Sequence, residues 1–174
     1  MNKKVLLPAF IVMILLQLYI PAKMIFDKEQ VLNTGELYKF RTAPVDPNDP
    51  FRGKYVALNF ADNTFFYTRE EDWYMNDQVY VTLSTDSAGF AVIKNVSKQI
   101  PEKEIYVIAT IQYVMPYEKQ LQIHYPFDRY YVEESKAPEI EEQYQEAIRD
   151  SSRVVYALVA VRDGDAVLKD LVLD

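Results

Sequence analysis

Three cations, Arg41, Arg52 and Lys54, stand close together around two aspartates, Asp46 and Asp49, in the run RTAPVDPNDPFRGKYVALNF at residues 41–60. Guanidinium and ammonium groups gathered in this way bind carboxylates and phosphates through charge-assisted hydrogen bonds. One chemistry open to the run is therefore capture of an anionic group, or of the acidic face of a partner. The same residues also have a simpler use. Asp beside Pro caps turns, Gly53 lets the backbone leave a turn and enter a strand, and Arg52 can pair with Asp46 or Asp49 to pin the loop.

A second group is Glu133 and Glu134, with Arg129 nearby. Two carboxylates facing each other across a cleft can hydrolyse a glycoside. On a strand, however, residues 133 and 134 point to opposite faces, so a working pair would need Glu133 with a distant partner such as Asp46. The simpler reading of Glu133 and Glu134 is a solvated strand end. His124 is the single histidine. Without a cysteine or a second histidine it makes a weak metal ligand set, and no nucleophile elbow accompanies it. The first serine is Ser84, which rules out a serine nucleophile directly behind an N-terminal anchor. Trp73, Tyr74, Tyr113, Tyr117, Tyr130 and Tyr131 could stack on sugar rings, or simply pack in and around a core. These residues assign no catalytic group, cofactor or metal.

Charge narrows the partners. The net charge is −7. Residues 1–26 hold three lysines and no acid, which leaves 16 bases against 26 acids, or −10, for residues 27–174. So acidic a body repels phosphate backbones, and nucleic acid is excluded as a partner. With 49% hydrophobic residues the chain can bury a core. It has no cysteine and only 4 Gly, but 14 Tyr and 9 Phe, a composition suited to β structure without disulfide staples.

The elements that must carry these groups read as mainly β, a sandwich or a partly open barrel. Apolar and polar residues alternate over Gly35–Thr42, Tyr55–Phe60 and Gln78–Ser84, and through Leu121, Ile123 and Tyr125, while Phe90–Val96 is a further strand that follows a turn ending at Gly89. Phe65–Thr68 is a short aromatic strand, and Ile105–Met115 is the longest β-like run. Val154–Val161 is apolar on both faces, as a central strand should be. Asp163-Gly164 then turns tightly into Ala166–Leu173. One helix is expected at residues 138–150, where Ile140, Tyr144, Ala147 and Ile148 recur at helical spacing behind Pro138.

Ahead of all this lies Val5–Phe26, VLLPAFIVMILLQLYIPAKMIF. As a helix it would measure about 33 Å, enough to cross a hydrocarbon layer of about 30 Å. Lys3 and Lys4 before it favour a cytoplasmic N-terminus, with residues 27–174 exported as one domain. The alternative is a cleaved signal peptide, but no small-x-small site closes the apolar run.

The stretch Gly53-Lys54-Tyr55-Val56-Ala57-Leu58-Asn59-Phe60 resembles the signature of the GDYXXLXY-motif proteins, with Lys54 in place of the motif Asp and Phe60 in place of its last Tyr. The lead-in from Arg41 through Asp46 and Asp49 to Arg52 is similar to that family as well. So are Tyr125–Glu133, which includes Arg129 and Tyr131, and the hairpin at Val161–Asp174. The likeness runs through nearly the whole chain. It implies a membrane-anchored bacterial protein of unsettled biochemical role, with its main domain outside the cytoplasm. It also implies a multi-pass membrane protein as partner, because such proteins are encoded beside family members. An exported domain binding a glycan or a small anion is the alternative.

Overall fold

The computed structural model describes residues 3–43, 55–68, 72–131, 142, 146 and 154–173. One long helix, α1 (Lys3–Thr34), leads into eleven strands: β1 (Glu36–Ala43), β2 (Tyr55–Ala57), β3 (Asn59–Phe60), β4 (Thr64–Phe66), β5 (Gln78–Thr85), β6 (Ala91–Ser97), β7 (Tyr106–Met115), β8 (Gln120–His124), β9 (Arg129–Tyr131), β10 (Val155–Arg162) and β11 (Asp165–Leu173). The expected mainly β fold is what forms. The helix expected at 138–150 falls outside the described residues, except that Glu142 and Glu146 are helical.

The strands make two curled sheets and a ribbon. One sheet has the order β11-β10-β1-β3, the other β4-β8-β7-β5-β6, and β2 pairs with β9. As its apolar run requires, β10 lies inside its sheet between β1 and β11. The turn from β10 to β11 is the two-residue one announced by Asp163-Gly164. Both residues have positive φ, 52° and 87°, and Arg162 faces Asp165 across the turn. Two left-handed residues in a row give the turn whose twist matches that of paired strands. Two isolated parallel bridges, Lys39 with Phe90 and Val107 with Gly164, stitch one sheet to the other.

Alternation places one face of each strand in a shared core. Val79, Val81 and Leu83 of β5, Val107, Ala109 and Ile111 of β7, and Ala157, Val159 and Val161 of β10 are all buried there. In β10 Ala160 is buried too, although its neighbours point the other way. The cause is α1, whose last turns pack on β10 and β11. Val31 and Ala160 are both buried outside the main core.

The helix does not stop where the apolar run stops. It continues through Asp27, Lys28 and Glu29 to Thr34, where Arg162 donates from Nη1 to Thr34 Oγ1 at 2.6 Å and Lys28 pairs with Asp165 at 2.7 Å. Gly35 N–H then closes on the Val31 carbonyl at 2.8 Å. A Cβ on Gly35 would sit 2.6 Å from that carbonyl and 3.0 Å from the Val161 carbonyl, so only glycine fits this turn. Within α1, Phe10–Thr34 is long and apolar enough to cross a membrane, and most of its large apolar side chains from Phe10 to Phe26 are exposed.

Candidate functional site

The described part of the signature run, residues 55–60, is two short strands with a kink at Leu58. Tyr55, Val56 and Ala57 pair with Tyr131, Tyr130 and Arg129 in antiparallel register. Leu58 N–H then donates to the Asp128 carbonyl at 2.8 Å, and Asn59–Phe60 turns to pair with Thr42–Ala43 of β1. The Leu58 and Phe60 side chains enter the core. Phe60 meets Phe40, Tyr125 and Phe127 edge-to-face, with ring centroids 5.7, 5.7 and 5.1 Å away. Such contacts are worth about 0.5–1.5 kcal/mol each beyond burial. Two of the stretches carrying the family resemblance, the signature and the one that begins at Tyr125, are thus hydrogen-bonded and share one aromatic cluster.

Tyr125 is the polar member of that cluster. Its hydroxyl donates to the Asp62 carbonyl at 3.0 Å, and burial, with the Asp62 charge second, pushes its ionisation above the usual tyrosine range. The phenol is a fixed donor and has no acid–base role near neutral pH.

Arg41 follows Phe40 on β1 and so points away from the core. Its Nη2 reaches Asp86 Oδ2 at 2.5 Å, its Nη1 lies 3.6 Å from Asp62 Oδ2, and its guanidinium stacks 4.1 Å from the Phe90 ring. Asp86 sits in the turn between β5 and β6. Its Oδ1 accepts the Ala88 and Phe90 amides, both at 2.9 Å, which leaves Oδ2 for Arg41. The Phe90 amide first and Arg41 next hold the Asp86 carboxyl below the usual carboxylate range. Arg41 therefore clamps one sheet to a turn of the other. Asp62 Oδ2 is a buried carboxylate oxygen with no hydrogen-bond partner among the described residues.

Of the other residues singled out by sequence, Asp46, Asp49, Arg52, Gly53, Lys54 and Glu133 lie outside the described residues. Tyr55 and Tyr131 are placed by backbone pairing alone, while Arg129, in β9, has Nε 3.7 Å from Asp128 Oδ1. His124 is exposed at the end of β8, 3.9 Å from Asp128. Among the described residues no group of three or more His, Asp or Glu side chains is placed to hold a metal.

The model of the GDYXXLXY protein family matches residues 17–171. The chain belongs to the GDYXXLXY family. The match begins inside α1 and ends inside β11, so the helix-to-hairpin junction and the paired signature strands both fall within it. No curated protein and no solved structure matches the chain. In this GDYXXLXY protein the described part of the signature, Tyr55–Phe60, builds a strand pairing and a core contact.

Two grooves on the described surface adjoin these elements. The first, about 680 Å³, opens where the five-stranded sheet curls and brings its edge strands β4 and β6 near each other. Neighbouring strands in this sheet are all antiparallel, so with five strands the two edges run the same way. Among the described residues no backbone hydrogen bond joins them. Trp73 lines this groove, 8% exposed, and its indole N–H has no hydrogen-bond partner among the described residues. Lys98 Nζ, 5.4 Å from the Trp73 ring, is held at 2.6 Å by both Asp77 Oδ2 and the Asp72 carbonyl. That Lys98 bond is the main reason the Asp77 carboxyl lies below its ordinary range. The second groove, about 590 Å³, lies between Lys28 of α1, the Pro126–Tyr130 segment and β11.

Sequence reasoning did not find Asp86, Asp62, Lys98 or the Thr34–Arg162 bond. The Ala88-Gly89 turn signal was present beside Asp86, but nothing local links it to Arg41. The sugar-stacking candidates scatter: Trp73 is buried, Tyr74 and Tyr113 are exposed, and Tyr117 is fully exposed at the β7–β8 turn.

Proposed function

We propose that this GDYXXLXY protein is a single-span envelope protein that works as an accessory subunit of a multi-pass membrane protein. On this reading α1 crosses the bacterial cytoplasmic membrane with Lys3 and Lys4 on the cytoplasmic side, and the β domain stands on the other side. The observation that carries it is the unbroken passage of α1 from exposed apolar residues into a docked contact with the β10–β11 hairpin. A domain held in this way has a fixed height and orientation on the bilayer. Little orientational freedom then remains to be lost when it meets a neighbour in the same membrane, which lowers the cost of association.

The chain has no cysteine, so single introduced thiols report topology directly. In spheroplasts, Ser87→Cys on the exposed β5–β6 turn should react with a membrane-impermeant maleimide, whereas Lys3→Cys should react only after lysis. On native gels of mildly solubilised membranes the protein should migrate in a complex larger than its monomer. Labelling in the opposite sense would overturn the topology, and a monomer in native membranes would overturn the accessory role.

A second reading, an exported ligand-binding domain, is favoured by one observation, the partnerless Trp73 indole N–H beside the 680 Å³ groove. A buried donor left unsatisfied costs about 1–3 kcal/mol, and an acceptor on a bound glycan would relieve that cost.

A further inference from the structure

We infer that α1 docks inside the membrane, through the face that holds Gln17 and Pro21, on a transmembrane helix of another protein that carries small residues and a Ser or Thr hydroxyl. The inference rests on the reading of α1 as the membrane span and deepens the accessory role. The apolar run Val5–Phe26 is centred between Leu15 and Leu16. At 1.5 Å per residue Gln17 stands about 2 Å from that centre, where half the hydrocarbon layer is about 15 Å deep. Its side chain is exposed. One turn away along the helix lie Met13, Ile14, Ile20 and Pro21, none with a polar side chain. Pro21 adds a second polar group to the same face. It has no N–H to give, so the Gln17 carbonyl lacks its ordinary helix bond. Pro8, the other proline of α1, frees only the Lys4 carbonyl, before the apolar run begins.

In hydrocarbon no water satisfies such groups, and each needs a protein partner. Neighbouring helices and Ser or Thr side chains supply it where a proline interrupts a span. Val5–Phe26 holds no Ser or Thr of its own. One face thus presents a primary amide and a freed carbonyl within a single turn. A hydroxyl on a facing helix donates to the carbonyl and accepts from the amide. Bulk selects the kind of helix. Phe10, Met13, Ile14, Ile20 and Met24 surround Gln17 on this face, and Val5–Phe26 has no Gly. Helices in a membrane come within hydrogen-bonding reach where small residues let their backbones approach. Two copies of α1 would meet bulk against bulk, so the small residues have to come from another chain. The helix contact adds to what the β domain supplies, and losing either weakens the complex.

The test keeps the full-length protein in the membranes of its own cells. Photoreactive benzoylphenylalanine replaces Met13 or Met24 on the Gln17 face, or Leu15 or Tyr19 on the opposite face, one at a time. The expected result is an adduct from Met13 and Met24 that mass spectrometry maps to a Ser- or Thr-bearing transmembrane segment of another protein, with far less from Leu15 and Tyr19. Gln17→Leu keeps the span apolar and should cut the Met24 adduct about three- to thirtyfold. Equal adducts from both faces, no adduct from any position, or an adduct unchanged by Gln17→Leu overturns the intramembrane contact. An adduct with the chain itself, backed by an oxidised dimer of Met13→Cys, marks a second copy and also overturns it. On native gels, a complex undiminished by Gln17→Leu leaves the accessory role standing without this contact, whereas a monomeric wild type removes that role too. Release of the protein by alkaline carbonate overturns the span reading, and the docking face with it.

Discussion

Leu58 N–H is hydrogen-bonded to the Asp128 carbonyl at 2.8 Å. This bond joins the middle of the signature run to a segment far along the chain, just where β2 gives way to β3. It gives the signature leucine two tasks. Its amide fixes the kink and its side chain fills the core.

The first expectation follows from that burial. Leu58→Ala should destabilise the protein by about 2–5 kcal/mol and Phe60→Ala by about 3–5 kcal/mol. Chemical denaturation in detergent measures both. A change below about 1 kcal/mol in either would show that the signature positions are not packing positions.

The Arg41 clamp has a pH signature. The Asp86 carboxyl is held below the ordinary range by the Phe90 amide and by Arg41. As pH falls the unfolded chain therefore takes up its proton first. The stabilisation is fully present above about pH 4 and is lost as pH drops through the folded-state value. Thermal unfolding should show wild type ahead of Asp86→Asn near neutrality, with the gap closing toward pH 3. A gap independent of pH would remove Asp86 from this role.

Strand positions were legible because alternation is local. Phe40 in, Arg41 out and the buried row of β10 could be read from residue types alone, as could the Asp163-Gly164 turn. The end of α1 was not, since Asp27, Lys28 and Glu29 close the apolar run while the helix continues on Val31 and its contact with β10. Nor was the pairing of Tyr55 with Tyr131, or of Arg41 with Asp86. Those contacts depend on how two curled sheets meet, and no periodicity encodes it. The β4–β6 groove arises from the same curvature.

The junction after α1 should be intolerant of side chains. Gly35→Ala forces a Cβ to 2.6 Å from the Val31 carbonyl, a backbone atom that cannot swing away. Gly164→Ala combines a φ of 87° with a 2.6 Å approach to the Tyr106 ring. Each should cost about 1–3 kcal/mol. Hydrogen exchange should show Gly35→Ala loosening residues 28–34 selectively, and protection as in wild type there would contradict the docked junction.

Trp73→Phe removes the partnerless N–H and keeps most of the ring. The loss of volume opposes relief of an unsatisfied donor worth about 1–3 kcal/mol, so the melting temperature should change little. If the groove binds a glycan through that N–H, the same variant should weaken retention on a glycan array. A large loss of stability would mean that the indole is only packing.

The account rests on rigid presentation of the β domain by α1, and one measurement tests it most directly. Tagged full-length protein is recovered in mild detergent from its native membranes, beside a version with a flexible Gly-Ser insert between Thr34 and Gly35. The account predicts a multi-pass membrane protein with wild type and at least a tenfold smaller yield with the insert. A wild-type preparation with no such partner, or equal recovery from both, would contradict it.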